Sequence, residues 1–517
     1  MMKTDRRRLL QGAAATGAGL AMGGTAFLRA EAQSAAGEIE ELRIGTTALP
    51  PQLDPQTTDW IVMQRIYSML FDTLVRPDWS NGGAIMPWLA TAWTQVDDFT
   101  LEMTLRDDVM FHNGTKMTSA DVKYTFDRSL QGDAKLAVTG IYQLKEVIAV
   151  DDSTVRFVTV VPSGKLIQQF TAWKSSIVPA AYHQEVGYEG FQSAPVGTGP
   201  YRLSEFVPDS HLAFVRHEEY FLGAGAAKTV RIAAIPEVST RIAALLSGEV
   251  DLILDLPADQ VPTVQGGGDF VIDSASPLNV NNFDIMGRNA PMDKKGVRQA
   301  MSLAIDRKLV VEQLLLGNGL HPGGIQSIYD PLYSERQPLA YDPERAKALL
   351  TEAGYAGEEI SMVYDQPEYY PLGTAWAEAV AAMWREVGLN IKMVGLEVGQ
   401  RVEAAVPDSP YHVVVSSNGV IADMEISEGF GPQGYYTLFH MPGVLDDVVE
   451  LFTEGGSTVD PTTRRDIYKQ ALDVVDDFVP MVVLFTINRV SAMGPTITWA
   501  GSPDFGIDLR PTNFSVA

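Results

Sequence analysis

An α/β fold is predicted for this 517-residue chain by two observations. Segments with a two-residue apolar period alternate with segments carrying an apolar stripe at helical spacing. One stretch also reads as a complete strand–helix–strand unit. Glu359 to Tyr364 is strand-like, and Trp376, Ala379, Val380, Met383, Trp384 and Val387 line one face of a helix. Gly388 ends that helix, and Leu389, Ile391 and Met393 alternate as the next strand. Such a unit implies a parallel strand pair and a sheet covered by helices. The Trp and Met stripe reads as core.

Taken in order, the chain opens with Asp5-Arg6-Arg7-Arg8-Leu9-Leu10-Gln11, followed by a mildly apolar Gly/Ala-rich run from Gly12 to Leu28. Ala30-Glu31-Ala32 has the small-residue spacing of a cleavage site. Residues 1–32 therefore resemble a twin-arginine export signal. A short membrane anchor is the other reading, and the run is too short and glycine-rich to span comfortably. Next comes "LEMTLRDDVMFHNGTKMTSADVKYTF", Leu101 to Phe126. Phe99, Leu101, Met103 and Leu105 alternate with polar residues as a half-buried strand. Asn113-Gly114 supplies a tight turn. Thr118-Ser119-Ala120-Asp121 resembles a capping box opening a helix with Val122 and Phe126 inward. Its His, Asp, Asn, Lys and Thr are residues suited to catalysis, yet turn and cap chemistry accounts for them.

Further on, Gly197-Thr198-Gly199-Pro200 lacks the lysine and helix start of a phosphate loop, and reads as a turn into the strand Tyr201-Arg202-Leu203. Ser239 or Thr240 is expected to cap a helix running through Leu246, with Gly248 as its stop. A strand follows at Val250-Asp251-Leu252-Ile253. Val297, Ala300, Met301, Ala304 and Ile305 form another stripe. Asp342 caps a helix with Pro343 in its first position, Ala346, Leu349, Leu350 and Ala353 inward, and Gly354 at its close.

Composition narrows the function. The net charge is -26, and removal of residues 1–32 takes away five basic and two acidic side chains, leaving 34 against 63, or -29. Such a surface repels nucleic acid and anionic membranes. Cysteine is absent, which excludes disulfides, a lipid anchor on an N-terminal Cys, and thiolate sites. There is no G-x-S-x-G elbow, H-E-x-x-H or Walker loop. His211 and His217 are the closest pair of the seven histidines, and their spacing fits neither a helix face nor a strand face. Acidic pairs such as Asp97-Asp98 and Asp476-Asp477 sit beside turns or helix ends, where solvated surface accounts for them. No catalytic residue, metal site or cofactor is expected.

Several stretches, in order, carry a resemblance. Leu53-Asp54-Pro55 comes first, then "PWLATAWTQVDD" leading into "FTLEMTLRDDVMFHNGTKMTSADVKYTFDR". "PVGTGPYRLSEF", "STRIAALLSGEVDLILDLP", "VRQAMSLAIDRKLVVEQLLLGNG" and "YDPERAKALL" follow. In these the chain resembles the dipeptide/oligopeptide-binding proteins of bacterial ABC importers, extracellular solute-binding protein family five. The resemblance implies an α/β two-lobed periplasmic-binding-protein clamp with an extra subdomain inserted in lobe one. It places lobe one at 38–275 with the insertion at roughly 75–197, lobe two at 276–485, and a return to lobe one at 486–517. The crossovers fall near "SPLNVNNFD" and "VPMVVLFTINRV". It also implies that the run 101–126 is scaffold, and that hinge closure buries a ligand in the cleft.

The same resemblance implies no enzyme activity, a monomer, and two partners: a small peptide-like ligand and an ABC permease; with the N-terminal signal read above, the protein is expected in the periplasm by the twin-arginine route. In peptide-binding members a lobe-two aspartate meets the ligand's amino terminus. "YHVVVSSNGVIADMEISEGF" occupies that place, and Asp423 is the matching residue. Met424-Glu425-Ile426-Ser427 departs from the usual aromatic and Asp-Pro, so Asp423 reads either as a ligand contact or as a loop cap. Trp60, Trp173, Asn281, Asn418 and Tyr435 are the other cleft candidates, each with core packing or surface as the alternative. A peptide or amino-acid derivative leads as ligand. An opine, an oligosaccharide or a metal chelate stands second, and a secreted hydrolase or a docking protein with a degenerate cleft comes after.

Overall fold

The computed structural model describes residues 37–57, 64–130, 143–327, 329–330, 332, 336–366, 372–419, 429–432, 434–504 and 506–517. Three sheets organise them. A seven-stranded sheet has the order Val271–Ala275, Arg489–Met493, Leu252–Ile253, Ile39–Thr46, Ala227–Ala234, His211–Arg216 and Tyr201–Val207. Ile39–Thr46 lies at its centre, parallel to both neighbours. A five-stranded sheet has the order Asn390–Leu396, Glu359–Asp365, Val413–Gly419, Asn279–Ile285 and Met481–Val483. A four-stranded antiparallel sheet, Ala90–Asp97, Thr100–Leu105, Thr154–Thr159 and Leu144–Asp151, arises from chain lying between the first two strands of the seven-stranded sheet to be entered.

The chain leaves the seven-stranded sheet at Ala275 and enters the five-stranded one at Asn279. It leaves that sheet at Val483 and is back in the first at Arg489. Two lobes joined by two short crossovers result, each lobe with its own core. The strand–helix–strand unit read from the sequence is present in lobe two. Glu359–Asp365 pairs parallel with Asn390–Leu396, and the helix Gly373–Glu386 connects them. Gly388 has φ of +102°, the left-handed backbone that ends the helix. Trp376 and Trp384 are fully buried among Phe283, Val380 and Val482, so the aromatic stripe is core.

The stretch 101–126 folds for the reasons its residues supply. Leu101, Met103 and Leu105 are buried, while Phe99 stands outside the strand Thr100–Leu105 and is 43% exposed. Gly114 has φ of +79° in its turn, and Asn113 accepts from Thr115 N at 3.1 Å. Thr118 N donates to Asp121 Oδ2 at 2.9 Å ahead of the helix Ser119–Leu130, the backward half of a capping box. One expectation is corrected. The helix Val238–Leu246 starts before Ser239 and Thr240, with Glu237 at its cap, so neither hydroxyl residue caps it. Asp342 does cap its helix, accepting from Arg345 N at 2.8 Å.

Candidate functional site

A cavity of about 210 Å³ opens against lobe one beside the first crossover. Its floor comes from the helix Gln64–Leu70 and the residues just after it, including Phe71 and Asp72. One wall is the hairpin Val75–Asp78 and Ala84–Pro87, which carries Arg76 and Trp79. The other is the short turn Trp173–Ser175, and Leu278 of the crossover stands at the edge. The aromatic surfaces are fixed by mutual contact. Trp173 stacks on Tyr67 with ring centroids 4.9 Å apart and planes 21° apart, close to the offset stacking aromatic pairs favour. With its amide oriented to satisfy both neighbours, Gln64 accepts from Trp173 Nε1 at 2.8 Å and donates to the Asp504 carbonyl. The Lys174 ammonium lies 5.6 Å from the Trp173 ring centroid.

Behind the cavity lies a buried ionic network. Asp72 accepts from Trp88 Nε1 at 2.8 Å, Thr198 Oγ1 at 3.0 Å, Tyr220 OH at 3.2 Å and Arg510 Nη2 at 2.7 Å. Arg510 also donates to Asp508 at 3.0 Å, and Arg76 donates to Asp508 at 2.9 Å while its guanidinium sits 4.7 Å from the Trp88 ring. Burial raises the Asp508 carboxyl pKa, and the two guanidinium groups overcome it and hold it well below the usual range. Burial lowers that of Arg510, and Asp508, Tyr220 and Asp72 hold its cation well above its ordinary value. Two cations and two anions thus neutralise one another, tying the C-terminal return to the cavity floor and to the hairpin bearing Trp79.

The Gly-Thr-Gly-Pro turn belongs to this network. An added Cβ at Gly197 or Gly199 would fall on the backbone of Leu70 or Met69, so only glycine permits the approach that brings Thr198 to Asp72. His112 braces the turn from the other side. Its Nδ1 accepts from Gly197 N at 3.2 Å and its Nε2 donates to the Gly199 carbonyl at 3.0 Å. Burial pushes its pKa down to about 3, so the ring is neutral. The histidine of the 101–126 stretch is therefore a brace.

Of the residues singled out from the sequence, Trp173 lines this cavity. Asn281 is buried, with Nδ2 donating to the Phe485 carbonyl at 3.1 Å, which ties one crossover strand to the other. Tyr435 opens the helix Tyr435–Leu438, 37% exposed, with its ring 4.1 Å from that of Tyr436. Neither lines the cavity. Asn418 pairs with Val280 in the strand Val413–Gly419. Trp60 and Asp423 lie outside the described residues. Sequence reasoning did not find Tyr67, Arg76, Trp79, Lys174 or the Asp72–Arg510 pair. Among the described residues no group of three or more His, Asp or Glu is placed to hold a metal ion, and His211 bonds Glu205 while His217 bonds the Gly199 carbonyl.

Lobe two contributes a second buried polar cluster. Asp284 is 4% exposed and accepts from Asn282 Nδ2 at 2.7 Å. Arg401 Nε donates to Asp365 Oδ1 at 2.8 Å at the end of the strand Glu359–Asp365. Burial pushes the Asp284 carboxyl up to about 6, against hydrogen bonds from Ser416 and Asn282 and the charge of Arg401.

Residues 84–428 match the family described as bacterial extracellular solute-binding proteins, family 5 middle. The chain belongs to this family. The family member is 25% identical over 485 residues to the nickel-binding periplasmic protein of Escherichia coli (strain K12), covering 87% of this chain and 89% of the other. It is 26% identical over 440 residues to the dipeptide-binding protein of the same organism, covering 77% and 80%. Among solved structures, the ABC transporter substrate binding protein CtaP of Listeria monocytogenes superposes with a TM-score of 0.81 at 17% identity, covering 93% of this chain and 99% of that one. The likeness fixes the two-lobed α/β fold.

Proposed function

We propose that this family member is the periplasmic solute-binding protein of an ABC importer, capturing a peptide or amino-acid derivative between its lobes and handing it to a membrane permease. The observation that carries the ligand class is the cavity wall. Trp79 and the Trp173–Tyr67 stack line it with aromatic surface, and Arg76 and Lys174 add positive charge to the lining. A few polar groups on an aromatic wall suit a small organic molecule with both characters. Asp423, which follows the strand Val413–Gly419, supplies the opposing carboxylate for a ligand amine. In this reading 38–275 is lobe one with the insertion at roughly 75–197, 276–485 is lobe two, 486–517 returns to lobe one, and residues 1–32 direct export by the twin-arginine route. The protein acts as a monomer and turns nothing over.

The nickel-binding relative favours a second reading, an organic metal chelate, with the aromatic wall holding the chelator. One experiment separates the two. The mature protein is purified and denatured, and the small molecules released are identified by mass spectrometry. A peptide or amine supports the leading reading; a chelate, opine or sugar replaces the ligand class and leaves the transport role in place. The recovered molecule, added back, raises the melting temperature by mass action. Hydrolysis of that molecule by the purified protein would overturn the binding-protein reading itself.

A further inference from the structure

Away from the crossovers, two contacts between the lobes stand out among the described residues. On one side, Gly164 N donates to the Gly456 carbonyl at 3.1 Å. Gly164 belongs to the segment that enters the core of the four-stranded sheet at Leu166, and Gly456 lies in the lobe-two helix Asp446–Ser457. On the other side, Trp79 of the cavity hairpin meets Tyr329 of lobe two edge-on, with ring centroids 5.0 Å apart. We infer that these contacts are a latch for the closed form, and that Gly164 is a positioning residue that sets ligand retention without touching the ligand.

The reason is steric. Gly164 has no left-handed backbone, so its own conformation admits any side chain. The three atoms nearest an added Cβ are the Thr458 carbonyl oxygen, Arg464 Nη1 and the Thr458 carbonyl carbon, all in lobe two and all inside contact distance. The atoms a methyl group would meet first there all belong to the opposite lobe. The methyl group penalises the closed arrangement alone, and opening relieves it. Gly456 is the opposite case. A Cβ at that position meets nothing nearer than 3.8 Å, so alanine leaves the latch intact. Both lips of the cleft are thus closed by groups that differ from those lining the cavity, apart from Trp79. The closed population then depends on Gly164 and Tyr329 through the interlobe equilibrium, and any ligand that binds the closed form feels that dependence as an altered release rate.

The inference rests on the two-lobed capture reading above, and it is tested by a measurement that uses no ligand, so the two fail separately. The chain has no cysteine, so spin labels can be placed on Val150→Cys and Val444→Cys, both exposed and on opposite lobes. Pulsed electron paramagnetic resonance then reads the interlobe distance. The expected result is a short-distance population in the labelled parent, reduced on the order of tenfold by Gly164→Ala. Tyr329→Ala, which removes atoms and inserts none, should reduce it too, and Gly456→Ala should leave it unchanged. Circular dichroism of the three variants should superpose on the parent. A Gly164→Ala distribution matching the parent's, or a parent with no short-distance population, would overturn the latch.

Discussion

Replacing Asp284 with asparagine tests the electrostatics of lobe two most directly. The carboxyl is buried under the strand pair Asn279–Ile285 and Val413–Gly419, and its pKa is pushed from 3.8 to about 6 by burial. Two units at about 1.4 kcal/mol each make a penalty of about 3 kcal/mol for holding the ionised form in the folded state. The sign follows from proton release. Below pH of about 4 the group is protonated whether the chain is folded or not, and no penalty appears. Between about 4 and about 6 the unfolded chain loses the proton and the folded chain keeps it, so unfolding releases a proton and stability falls as pH rises. Above that window the full penalty persists. Asp284→Asn removes the titration. Its amide introduces a donor needing a partner, a cost of about 1–3 kcal/mol that is independent of pH. The measured quantity is therefore a double difference. Urea unfolding of both proteins from pH 4 to pH 8, followed by tryptophan fluorescence, should show the variant gaining about 3 kcal/mol on the wild type across the window. A difference flat with pH, or one moving against the variant as pH rises, would refute the assignment of burial as the dominant cause.

Asp72→Ala should destabilise the protein by about 3–5 kcal/mol, because Trp88, Thr198 and Tyr220 lose their acceptor and the Arg510 cation loses one of its two carboxylate partners; thermal unfolding checks it, and Asp72→Asn should recover part of the loss. Gly199→Ala forces a Cβ into the Met69 and Leu70 backbone and should cost about 1–3 kcal/mol, read as a lowered melting temperature, whereas alanine at the open Gly399 should not. Asp423→Asn should weaken binding of an amine-bearing ligand at least about tenfold in calorimetry, the loss of one charge-assisted contact, and leave an amine-free analogue unaffected.

The parts of the fold that were legible in the sequence are those in which one local pattern decides. The unit 359–396 could be read because a helical stripe between two alternating runs admits one arrangement, and Gly388 and Asp342 end or cap their helices by side-chain and backbone chemistry that acts within four residues. The N-terminus of the helix Val238–Leu246 was misplaced because Ser239 and Thr240 fit a cap locally, while the chain enters the helix two residues earlier from the central sheet. The cavity was largely illegible for a different reason. Asp72 and Arg510 stand 438 residues apart, and nothing near either one announces the other. Trp79 follows Asp78, which accepts from Ser80 N at 3.0 Å, so the local reading of that segment is a turn and says nothing of a ligand. Trp173 was offered on the place the family resemblance gives it, facing the cleft, and it lines the cavity; Asn281 was offered on its crossover position, where its amide bonds the returning strand.

The run 101–126 and the cavity are nonetheless mechanically connected. The capping aspartate, Asp121, receives Thr118 N through one oxygen and Ala180 N at 2.9 Å through the other, fixing the segment that follows Trp173–Ser175. His112 of the same run holds Gly197 and Gly199, and Thr198 between them holds Asp72 on the cavity floor. The run thus positions both the Trp173 wall and the Asp72 floor from one residue layer behind. Asn113, Thr118, Asp121 and His112 of the run are engaged in its turn, cap and brace. Trp79, Trp173 and Lys174 sit in short connections that the scaffold holds but does not dictate. A fold divided in this way lets cargo change through a few loop residues while the frame stays put, and within one family it accommodates relatives named for nickel and for dipeptides.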